Sequence, residues 1–516
     1  MSEPRVLADL GSGVSLERLV PRIGPIAVLG DPAGVAVSDV AFRHADVRPG
    51  ALFCCVPGER HDGHDFALEA RRTGAVAFVC EHSLAGVGGA VQLVVPPGEV
   101  RPAMARASCA FYGDPASSLR TIGVTGTNGK TTTTYLLRAI LELHGWATGV
   151  VGTLDGARTT PESPDLQRAL ARFRDGGCSA AAIEVTSHAL VQSRVDGITF
   201  DVAVFTNLSQ DHLDYHKTME AYFAAKAELF TPERSRLGVV NGDDPYGRRL
   251  SERAAVETVV FSLDEAESLV LEGSTSRFLL RGHEVTLKMA GAFNVMNALA
   301  AAAAARALGV GDSTVAQGLA AAPPVPGRFE RIDSIDGVSV VVDYAHTPAA
   351  LEQVLTAARR LCDEVPASTG TGDRAARRAR RAGRLVVVLG AGGERDRGKR
   401  PAMGATAARL ADLVVLTSDN PRGEDPAVIA DQVRAGIPPN AAVRVELDRR
   451  EAIGWALAGA AAGDVVVVAG KGHETTQQFS DRLVRFDDRE VVRELLEHQG
   501  RLLPGWMRPG REGGED

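Results

Sequence analysis

The sequence lacks C-x-x-C motifs, a signal peptide and any long apolar run. Its six cysteines form no C-x-x-C motif, which argues against a zinc or redox site and is typical of reduced thiols in a cytosol. The N-terminus has neither the basic start nor the apolar core of a signal peptide. No apolar run reaches the roughly 18 residues that span a bilayer. We therefore expect a cytoplasmic protein with no membrane span.

An excess of positive charge is also absent. The 57 Lys and Arg residues are outnumbered by 65 Asp and Glu residues, and the formal net charge is −8. Nucleic-acid-binding domains are usually basic, so we expect no nucleic-acid partner. Hydrophobic residues at 45% and charged residues at 24% are ordinary for a globular chain, and a length of 516 residues corresponds to about three domains.

Short β-branched runs alternate with helical stretches in two parts of the chain, a pattern typical of parallel sheets covered on both faces. The proline-rich segment 322–332 lies between these parts and predicts a linker. We therefore predict an α/β protein of three domains, with a small mixed domain over 1–118 and larger α/β domains over 119–332 and 333–516. The Ala-rich stretch 296–309 is predicted to be a packed helix.

A basic insertion over 363–383 interrupts the predicted C-terminal domain. It contains Pro, Gly, Ser and Thr among its arginines. Such a run is typical of a solvated loop, and contact of its charges with an anionic partner stays open as the alternative.

The segment GVTGTNGKTTT, 123–133, has the composition of a phosphate-binding loop. It lies between a predicted strand and a predicted helix, which is the context that such a loop requires. Glycines allow backbone N–H groups to turn toward phosphates, Lys130 can reach the terminal phosphates, and Thr131 can place its hydroxyl on Mg²⁺. The strict pattern needs glycine where this chain has Val124, and its leading glycine is Gly123. We predict nucleotide binding by this variant loop; the alternative is a glycine-rich turn with a chance GKT.

Polar residues follow two further predicted strands, 178–185 and 200–208. In an open α/β sheet, ligands collect beyond the C-terminal ends of the strands. If these strands neighbour the strand before the phosphate loop, Glu184 and His212 lie near the phosphates and could hold Mg²⁺. The alternative is that Glu184 is ion-paired and that His212 merely caps a helix.

Lys226 lies on the apolar face of a predicted helix, 217–230. The residues three or four positions away on this helix are Tyr222, Phe223, Leu229 and Phe230. Burial lowers the pKa of a lysine and favours the neutral, nucleophilic amine. Such an amine can add carbon dioxide and become a carbamate, an anionic ligand for a metal. The alternative is a lysine whose chain extends past its neighbours to water.

A series of motifs, in one order along the chain, resembles the Mur ligase family. The resemblance covers nearly the whole chain. Any one motif could be chance, but the ordered set is specific. The motifs are GVTGTNGKTTT (123–133), EVTSHAL (184–190), TNLSQDHLDYH (206–216), NGDDP (241–245), FNVMNALAA (293–301), GRFE (327–330), DYAHTP (343–348), GAGGERDRGKRPAMG (390–404), DNPR (419–422) and GKGHE (470–474).

The resemblance implies a central P-loop-type ATPase α/β domain and a C-terminal Rossmann-like α/β domain that binds an amino acid. It implies that the N-terminal domain holds the UDP end of the substrate, with ATP as co-substrate and Mg²⁺ as cofactor. The implied catalytic residues are Lys130, Glu184, His212 and Lys226. Thr131, Glu184, His212 and a carboxylated Lys226 are the implied metal-site residues.

Three further sets of residues follow from the resemblance. ATP contacts are implied for Gly126, Thr127, Asn128, Gly129, Lys130, Thr131 and Thr132. Contacts to the UDP-muramoyl-dipeptide are implied for Thr159, Thr160, Thr186, Gln192 and Arg194. Contacts to diaminopimelate are implied for Arg395, Asp419, Asn420, Pro421, Arg422, Gly470 and Glu474.

The implied activity is ATP-dependent amide ligation in peptidoglycan precursor synthesis by a monomer that acts on small molecules. An acyl phosphate forms on the D-glutamate of UDP-N-acetylmuramoyl-L-alanyl-D-glutamate, and the amine of meso-diaminopimelate displaces phosphate. DNPR resembles the diaminopimelate-adding members, whereas lysine-adding members generally lack this arginine pattern. The alternatives are the lysine-adding form and a folylpolyglutamate-synthetase-like ligase, and a regulatory nucleotide-binding module is the rival from another class.

One departure from the family pattern concerns the uridine contact. Members often carry D-S-R before the P-G-x-L-F motif of the N-terminal domain, where the serine contacts uridine. This chain has Ala41, Phe42 and Arg43 ahead of PGALF at 49–53. Arg43 and the loop 59–61 are the remaining candidates for that contact.

Overall fold

Three sheets of five or six strands organise the described part of the chain, and three smaller sheets accompany them. The computed structural model describes residues 13–58, 61–154, 156, 158–334, 336–363 and 383–501. Predictions for most of the basic insertion, and for Glu59 and Arg60 of the uridine loop, lie outside the described residues. Among the residues described, no helix is long and apolar enough to cross a membrane.

The N-terminal part forms a five-stranded sheet with helices packed on it. Its elements are β1 (Val14–Ser15), α1 (Leu16–Ile23), β2 (Ala27–Leu29), β3 (Ala36–Val37), β4 (Asp39–Ala41), β5 (Ala51–Cys54), α2 (Ala67–Thr73), β6 (Ala77–Cys80), β7 (Val91–Val94) and α3 (Val100–Phe111). The strand order is β2-β7-β6-β5-β4, with β2 antiparallel to β7 and the other neighbours parallel. Leu52 faces one apolar cluster and Phe53 the other, so both faces of this sheet are covered.

A six-stranded parallel sheet forms the centre of the protein. Its part of the chain contains β8 (Arg120–Thr125), α4 (Lys130–Leu143), β9 (Thr148–Val151), α5 (Ser163–Asp175), β10 (Ala180–Glu184), α6 (Ser187–Val191), β11 (Phe200–Phe205), α7 (Leu213–His216), α8 (Met219–Ala227), β12 (Ser235–Asn241), α9 (Pro245–Arg253), β13 (Glu257–Phe261), β14 (Glu267–Leu271), β15 (Ser276–Leu280), β16 (His283–Leu287), α10 (Ala292–Ala307) and α11 (Asp312–Ala321). The six strands follow the order β13-β12-β11-β8-β10-β9. Because β8 lies between β10 and β11, the strand ends that carry the phosphate loop, Glu184 and the His212 loop are side by side. This confirms the condition on which the predicted magnesium site depended.

Helix α10 confirms the packed helix predicted for the Ala-rich stretch. Residues 298–305 of α10 are all at most 2% exposed. The helix packs on α4, which follows the phosphate loop, and α11 packs on α4 as well. At Gly318 of α11 a Cβ would lie only 2.6 Å from the Cα of Ile140. Glycine therefore permits the close approach of α11 to α4 at this point.

The C-terminal part forms a second six-stranded sheet. Its elements are β17 (Glu330–Asp333), β18 (Ser339–Asp343), α12 (Pro348–Asp363), β19 (Leu385–Leu389), α13 (Lys399–Leu410), β20 (Leu413–Leu416), α14 (Pro426–Arg434), β21 (Val443–Val445), α15 (Arg449–Ala458), β22 (Val465–Ala469), β23 (Thr476–Gln478), β24 (Leu483–Arg485) and α16 (Asp488–His498). The order is β17-β18-β22-β19-β20-β21, in which β17 is antiparallel to β18 and the other neighbours are parallel. Val387 and Val388 face opposite apolar clusters, which explains the continuous apolar run in β19. The domain boundary predicted after residue 332 falls within β17.

Candidate active site

A cleft of about 1450 Å³ is lined by residues of both the central and the C-terminal parts. It gathers the three predicted sets of ligand-binding residues. Four predicted residues are not on the cleft wall: Gly126, Gln192, Pro421 and Lys226. The predicted residues that line the cleft are Thr127, Asn128, Gly129, Lys130, Thr131, Thr132, Thr159, Thr160, Glu184, Thr186, Arg194, His212, Arg395, Asp419, Asn420, Arg422, Gly470 and Glu474.

The phosphate loop is closely packed at two glycines. Gly126 has φ 147°, and a Cβ there would lie 1.9 Å from the Oγ1 of Thr206. Gly129 has φ 88°, and a Cβ there would lie 2.2 Å from the Oδ1 of Asn297. Neither position accepts a side chain without a shift of its neighbours. Helix α4 begins directly after this loop, so the partial positive charge of its N-terminus is at the cleft.

Lys130 is folded over the phosphate loop. Its Nζ donates hydrogen bonds to the carbonyl oxygens of Gly126 at 3.0 Å and Thr127 at 2.9 Å. Burial lowers the pKa of Lys130, while the nearby charge of Glu184 acts in the opposite direction. Two loop carbonyls therefore hold the Lys130 Nζ beside the cleft, where its charge could bind an anion.

Lys226 is buried, and the alternative of a side chain that reaches water is wrong. It is 1% exposed, and its Nζ donates to the carbonyl oxygen of Gly126 at 2.9 Å. The same nitrogen lies 4.7 Å from the ring centroid of Tyr222. Burial, and then the charge of Lys130, hold the pKa of Lys226 well below its ordinary value. The side chain lies behind the phosphate loop, with Gly126 between it and the cleft.

The helix that carries Lys226 begins later than predicted. The predicted range 217–230 corresponds to α8 and a short 3-10 turn at Glu228–Phe230. Lys217 has φ 67°, a left-handed conformation that a right-handed helix does not contain. Thr218 instead caps α8, because its side chain accepts a hydrogen bond from the backbone N–H of Ala221.

Glu184, at the end of β10, is fully buried. Its Oε1 accepts a hydrogen bond from the backbone N–H of Thr153 at 2.9 Å, and its Oε2 accepts one from the hydroxyl of Thr153 at 3.0 Å. In the described part of the chain Glu184 forms no salt bridge, so the ion-paired alternative is wrong there. Sequence reasoning missed Thr153, because the contact joins the end of β10 to a turn after β9, 31 positions earlier in the sequence.

His212 occupies the N-cap position of α7 with φ 56°, but its side chain makes no capping hydrogen bond. Capping therefore does not explain this histidine. Its ring stacks edge-on against His188 at 4.8 Å. Burial lowers the pKa of His212 to about 3, although the charge of Asp211 acts in the opposite direction. The imidazole is neutral at physiological pH and so available as a metal ligand.

Asp211, beside His212, keeps a charge in the cleft. Burial alone would raise the pKa of Asp211, but a hydrogen bond from His346 and the charge of Lys399 hold that pKa well below its usual range. Asp211 is therefore an anion that faces two cationic or polar groups of the C-terminal part.

The residues predicted for the muramoyl-dipeptide surround the loop before α5. The hydroxyl of Thr160 donates to the backbone oxygen of Glu184 at 2.6 Å. Arg194 donates to the backbone oxygen of Thr160 at 2.9 Å and to the Oε1 of Gln192 at 2.7 Å. Gln192 therefore orients Arg194 rather than facing the cleft. The Nε of Arg194 is buried without a hydrogen-bond partner among the described residues.

Glu162 is an acidic residue that sequence reasoning missed in this region. It is 3% exposed and forms ion pairs with Arg101 at 2.9 Å, Arg158 at 2.7 Å and Arg194 at 3.0 Å. Arg101 belongs to α3 of the N-terminal part, so this cluster joins that part to the central sheet. One carboxylate among three arginines leaves a local excess of positive charge beside the cleft.

Arg422 and Arg395 form the cationic part of the C-terminal wall. Arg422 has φ 52°, and its backbone N–H donates to the carbonyl oxygen of Gln478 at 3.0 Å. Its Nη1 donates to the carbonyl oxygen of Gly393 at 2.7 Å. Burial, followed by the charge of Arg395, lowers the pKa of Arg422. Arg422 is thus built into the wall of the cleft by contacts to two neighbouring segments.

Asn420 and Glu474 are joined by a buried lysine that was not predicted. The Nζ of Lys471 donates to the Oδ1 of Asn420 at 3.3 Å and to the Oε2 of Glu474 at 3.0 Å. Asn420 also donates to Glu474 at 2.8 Å. Lys471 is 0% exposed, and its hydrogen bonds fix two side chains that line the cleft. The GKGHE motif contained the signal, since Lys471 is its second residue.

Arg328 is a further missed residue, although it lies in the GRFE motif. Its Nη2 donates to the hydroxyl of Thr131 at 2.9 Å, across 197 residues of sequence. Its guanidinium lies 4.6 Å from the ring centroid of Tyr344. A second cation therefore lies beside the phosphate loop and also lines the cleft.

The two described candidates for the uridine contact, Arg43 and His61, both contact neighbouring side chains of the N-terminal part. Arg43 forms a salt bridge with Asp46, and its guanidinium lies 5.5 Å from the ring centroid of Phe42. The ring of His61 lies 6.1 Å from that of Phe66. These contacts leave the uridine assignment a prediction.

Comparison with protein families and solved structures agrees with the motif order. Family models described as Mur ligase middle domain, Mur ligase glutamate ligase domain and Mur ligase family catalytic domain match the chain. The matched residues are 124–305 for the first, 327–373 and 366–472 for the second, and 44–112 for the third.

Solved structures share the fold. One, titled as a UDP-N-acetylmuramoyl-L-alanyl-D-glutamate–2,6-diaminopimelate ligase, is 32% identical with a TM-score of 0.61, and covers 95% of this chain and 99% of that chain. MurF from Acinetobacter baumannii is 19% identical with a TM-score of 0.65, and covers 94% and 99%. Folylpolyglutamate synthase of Mycobacterium tuberculosis is 22% identical with a TM-score of 0.55, and covers 71% and 91%. The last two likenesses concern the fold alone, and together the structures confirm the predicted α/β fold class.

Sequence relatives are closer still. A Streptomyces coelicolor protein named UDP-N-acetylmuramoyl-L-alanyl-D-glutamate–2,6-diaminopimelate ligase is 42% identical over 508 residues, with 92% of this chain and 96% of that protein covered. A Gloeobacter violaceus protein of the same name is 44% identical over 485 residues, with 90% and 94% covered. The resemblance drawn from the motifs is confirmed, and this chain belongs to the Mur ligase family.

Proposed function

We propose that this protein is an ATP-dependent ligase that joins an amine of meso-diaminopimelate to the D-glutamate of UDP-N-acetylmuramoyl-L-alanyl-D-glutamate. Its curated relatives carry the name of this ligase. One observation carries the proposal: a single cleft has the phosphate loop on one wall and the Arg395–Arg422 pair on another. The reaction would supply a step of cytoplasmic peptidoglycan precursor synthesis, with the protein acting as a monomer.

The phosphate wall suits ATP because it concentrates positive charge. Lys130, Arg328 and the N-terminus of α4 all face the same end of the cleft. A carboxylate that attacks a triphosphate brings two anions together, so cations that neutralise this charge stabilise the transition state. Lys130 supplies that charge from the loop itself, and Arg328 supplies it from its contact with Thr131.

The residues near the phosphate loop also fit Mg²⁺. Within the described ranges, no group of three or more His, Cys, Asp or Glu side chains is placed to hold a metal by itself. Mg²⁺ commonly binds through one or two protein ligands together with substrate phosphates and water. Thr131, the buried carboxylate of Glu184 and the neutral His212 line the cleft and would hold the metal in this way. When bound, the metal would neutralise phosphate charge.

The proposed reaction has two steps. The D-glutamate carboxylate attacks the γ-phosphorus of ATP, the bond to the β,γ-bridging oxygen breaks, and an acyl phosphate and ADP form. The neutral amine of the amino acid then attacks the acyl carbon, and the tetrahedral adduct expels phosphate and loses a proton to give the amide. The protein positions the reacting groups, stabilises the developing charge and excludes water.

Lys226 is proposed to carry a carbamate. The amine adds carbon dioxide, a C–N bond forms and one proton is released. The buried nitrogen with its lowered pKa supports this step, because only the neutral amine is a nucleophile. The carbamate would replace a repelling cation behind the loop by an anion that attracts Lys130 and Mg²⁺.

The amino-acid wall supports diaminopimelate rather than lysine. Meso-diaminopimelate has one carboxylate more than lysine, at its distal carbon, and an arginine can bind it through two parallel hydrogen bonds. Arg395 lies near enough to Arg422 for its charge to contribute, after burial, to the lowered pKa of Arg422. Two arginines with no anion of the substrate between them would repel each other, so a carboxylate ligand relieves the repulsion. Glu474 is proposed to bind the distal ammonium.

The test is a ligase assay with purified protein, UDP-muramoyl-dipeptide, ATP and Mg²⁺ and with a panel of amino acids that includes meso-diaminopimelate, lysine and glutamate. Preferred use of diaminopimelate is expected. Preference for lysine would replace the proposal by the lysine-adding form. Addition of glutamate to a folate, supplied in a parallel assay in place of the UDP-muramoyl-dipeptide, would indicate the folylpolyglutamate type. ATP binding without any ligation would favour a regulatory module.

A further inference from the structure

Asp211 forms a charged contact across the cleft. Its Oδ1 accepts a hydrogen bond from the Nζ of Lys399 at 2.8 Å, and its Oδ2 lies 3.4 Å from the Nε2 of His346. Asp211 follows β11 of the central sheet, whereas Lys399 is the first residue of α13 and His346 follows β18. One carboxylate of the central part therefore binds two groups of the C-terminal part.

This contact is nearly excluded from solvent. Asp211 is 4% exposed and Lys399 is 6% exposed. A second contact lies beside it, in which the Nε2 of Gln210 donates to Asp396 at 3.4 Å. The Oδ2 of Asp211 is also 3.6 Å from the Nε2 of His212, on the phosphate side. Asp211 therefore touches the phosphate half and the amino-acid half of the cleft at once.

The Asp211–Lys399 pair is not needed for the stability of either domain. Each domain has apolar clusters on both faces of its own sheet, and the pair belongs to none of them. Burial of two opposite charges adds little net stability, because the cost of removing both from water offsets their attraction. Such a pair does discriminate between docked arrangements, since closing the two domains in another register would take both charges out of water without pairing them.

We propose that Asp211 and Lys399 are positioning residues that hold the C-terminal domain in register over the phosphate loop and so set the distance between the acyl phosphate and the incoming amine. The proposal rests on the proposed function, because it takes ATP to bind on one wall and the amino acid on the other. Neither side chain reacts with substrate. The pair fixes α13 and the loop of Arg395 against the His212 loop.

The test uses the full-length protein with the variants Lys399→Met and Asp211→Asn. Arg450→Met is the matched control, because Arg450 forms an exposed ion pair with Glu494 that is not on the cleft wall. Small-angle X-ray scattering with a non-hydrolysable ATP analogue, Mg²⁺ and UDP-muramoyl-dipeptide measures whether the domains stay together. Steady-state kinetics separate the KM for the amino acid from kcat.

Each variant is expected to raise the KM for the amino acid by about tenfold or more. The dissociation constant for ATP should stay within about threefold of wild type. The radius of gyration with ligands bound should be larger than that of wild type. Lys399→Arg should restore most of the KM, since it keeps the charge. The double variant should lose no more than the worse single variant, because both substitutions break one contact.

Normal KM and normal compaction in a folded Lys399→Met protein would overturn the proposal, as would additive losses in the double variant. If Asp211→Asn does not fold, the comparison of Lys399→Met with Lys399→Arg decides the question alone. Absence of ligase activity in the wild-type protein would contradict the proposed function. The scattering measurement contains no amino acid, so it tests whether Asp211 and Lys399 hold the domains together independently of which amino acid the protein uses.

Discussion

Lys130 and Lys226 donate hydrogen bonds to one acceptor, the carbonyl oxygen of Gly126, at 3.0 Å and 2.9 Å. Two ammonium groups this close repel each other. Lys226 is buried behind the loop, and its pKa lies well below its ordinary value, first because of burial and then because of Lys130. The loop thus has a cation on the cleft side and an amine that readily loses its proton on the other.

Replacement of Lys130 by alanine is expected to abolish product formation without unfolding the protein. Its ammonium binds two loop carbonyls and faces the cleft, so its charge serves phosphates rather than a core. A coupled ADP-release assay measures the loss, and circular dichroism checks the fold. Lys288→Ala, at an exposed position, is the control and should behave as wild type. Near-normal turnover in Lys130→Ala would contradict the phosphate-loop assignment.

Replacement of Lys226 by alanine is expected to leave very little activity, and small carboxylic acids such as acetate should restore part of it. Acetate can fill the vacated space as an anion where the carbamate stood. Lys130→Ala is the matched control and should not respond to acetate, since it lacks a cation. Wild-type protein kept free of carbon dioxide should lose activity and regain it with bicarbonate. A plain amine in the fully active enzyme, seen by intact mass or crystallography, would count decisively against the carbamate.

Replacement of Arg422 by alanine is expected to lower kcat/KM for diaminopimelate by about tenfold or much more, because an unpaired carboxylate in a closed pocket costs on the order of 2–5 kcal/mol. The weak use of lysine should change little, because lysine has no distal carboxylate. Competition between the two amino acids measures the ratio. Arg485→Ala, at a position 79% exposed in its side chain, is the control. An equal loss for both amino acids would show that Arg422 supports the fold of the wall rather than selectivity.

His473 is expected to make the protein less stable in mild acid. Burial, followed by the charge of Arg328, lowers its pKa to about 3, whereas the pKa of an unfolded-chain histidine is about 6.5. The folded state therefore stays neutral while the unfolded state binds a proton below pH 6.5, so stability falls as the pH drops from that value toward about 3. Between about pH 7.5 and about pH 5.5 this group should cost about 1 kcal/mol.

Urea unfolding of wild type and His473→Gln at both pH values measures this contribution. The variant should lose less stability than wild type over the same interval, and the difference between the two losses is the histidine's share. Equal losses in the two proteins would show that His473 does not titrate on unfolding in this range.

The local parts of the fold and site could be predicted from the sequence. Buried β-branched runs such as β19 and the strand–glycine–helix order around Lys130 depend on neighbouring residues, and the structure has them where expected. Helical spacing placed Lys226 on an apolar face but left open whether its amine reaches water, and only the structure shows that it is buried. The start of α8 could not be predicted, because a left-handed Lys217 depends on how the preceding loop folds.

Contacts between distant segments could not be predicted. Lys399 pairs with Asp211 over 188 residues, and Arg328 meets Thr131 over 197 residues. Lys471 stood in a recognised motif, but only the fold shows that it is fully buried and binds Asn420 and Glu474. No periodicity relates such residues, because the sheet order and the docking of the two domains bring them together.

Helix α4, which follows the phosphate loop, packs against both α10 and α11. Many of the buried residues of α10 and α11 are alanine or glycine, whose side chains are a methyl group or a hydrogen. Alanines of α10 lie on one side, and Gly318 approaches the backbone of Ile140 on the other. Leucine or valine would be hydrophobic enough for this interior. Their added volume, however, would displace α4 and with it the backbone N–H groups at its N-terminus, which face the cleft. The size of a side chain therefore matters more than its polarity in these helices, and a substitution in α10 or α11 can move the phosphate loop through α4 without touching the cleft.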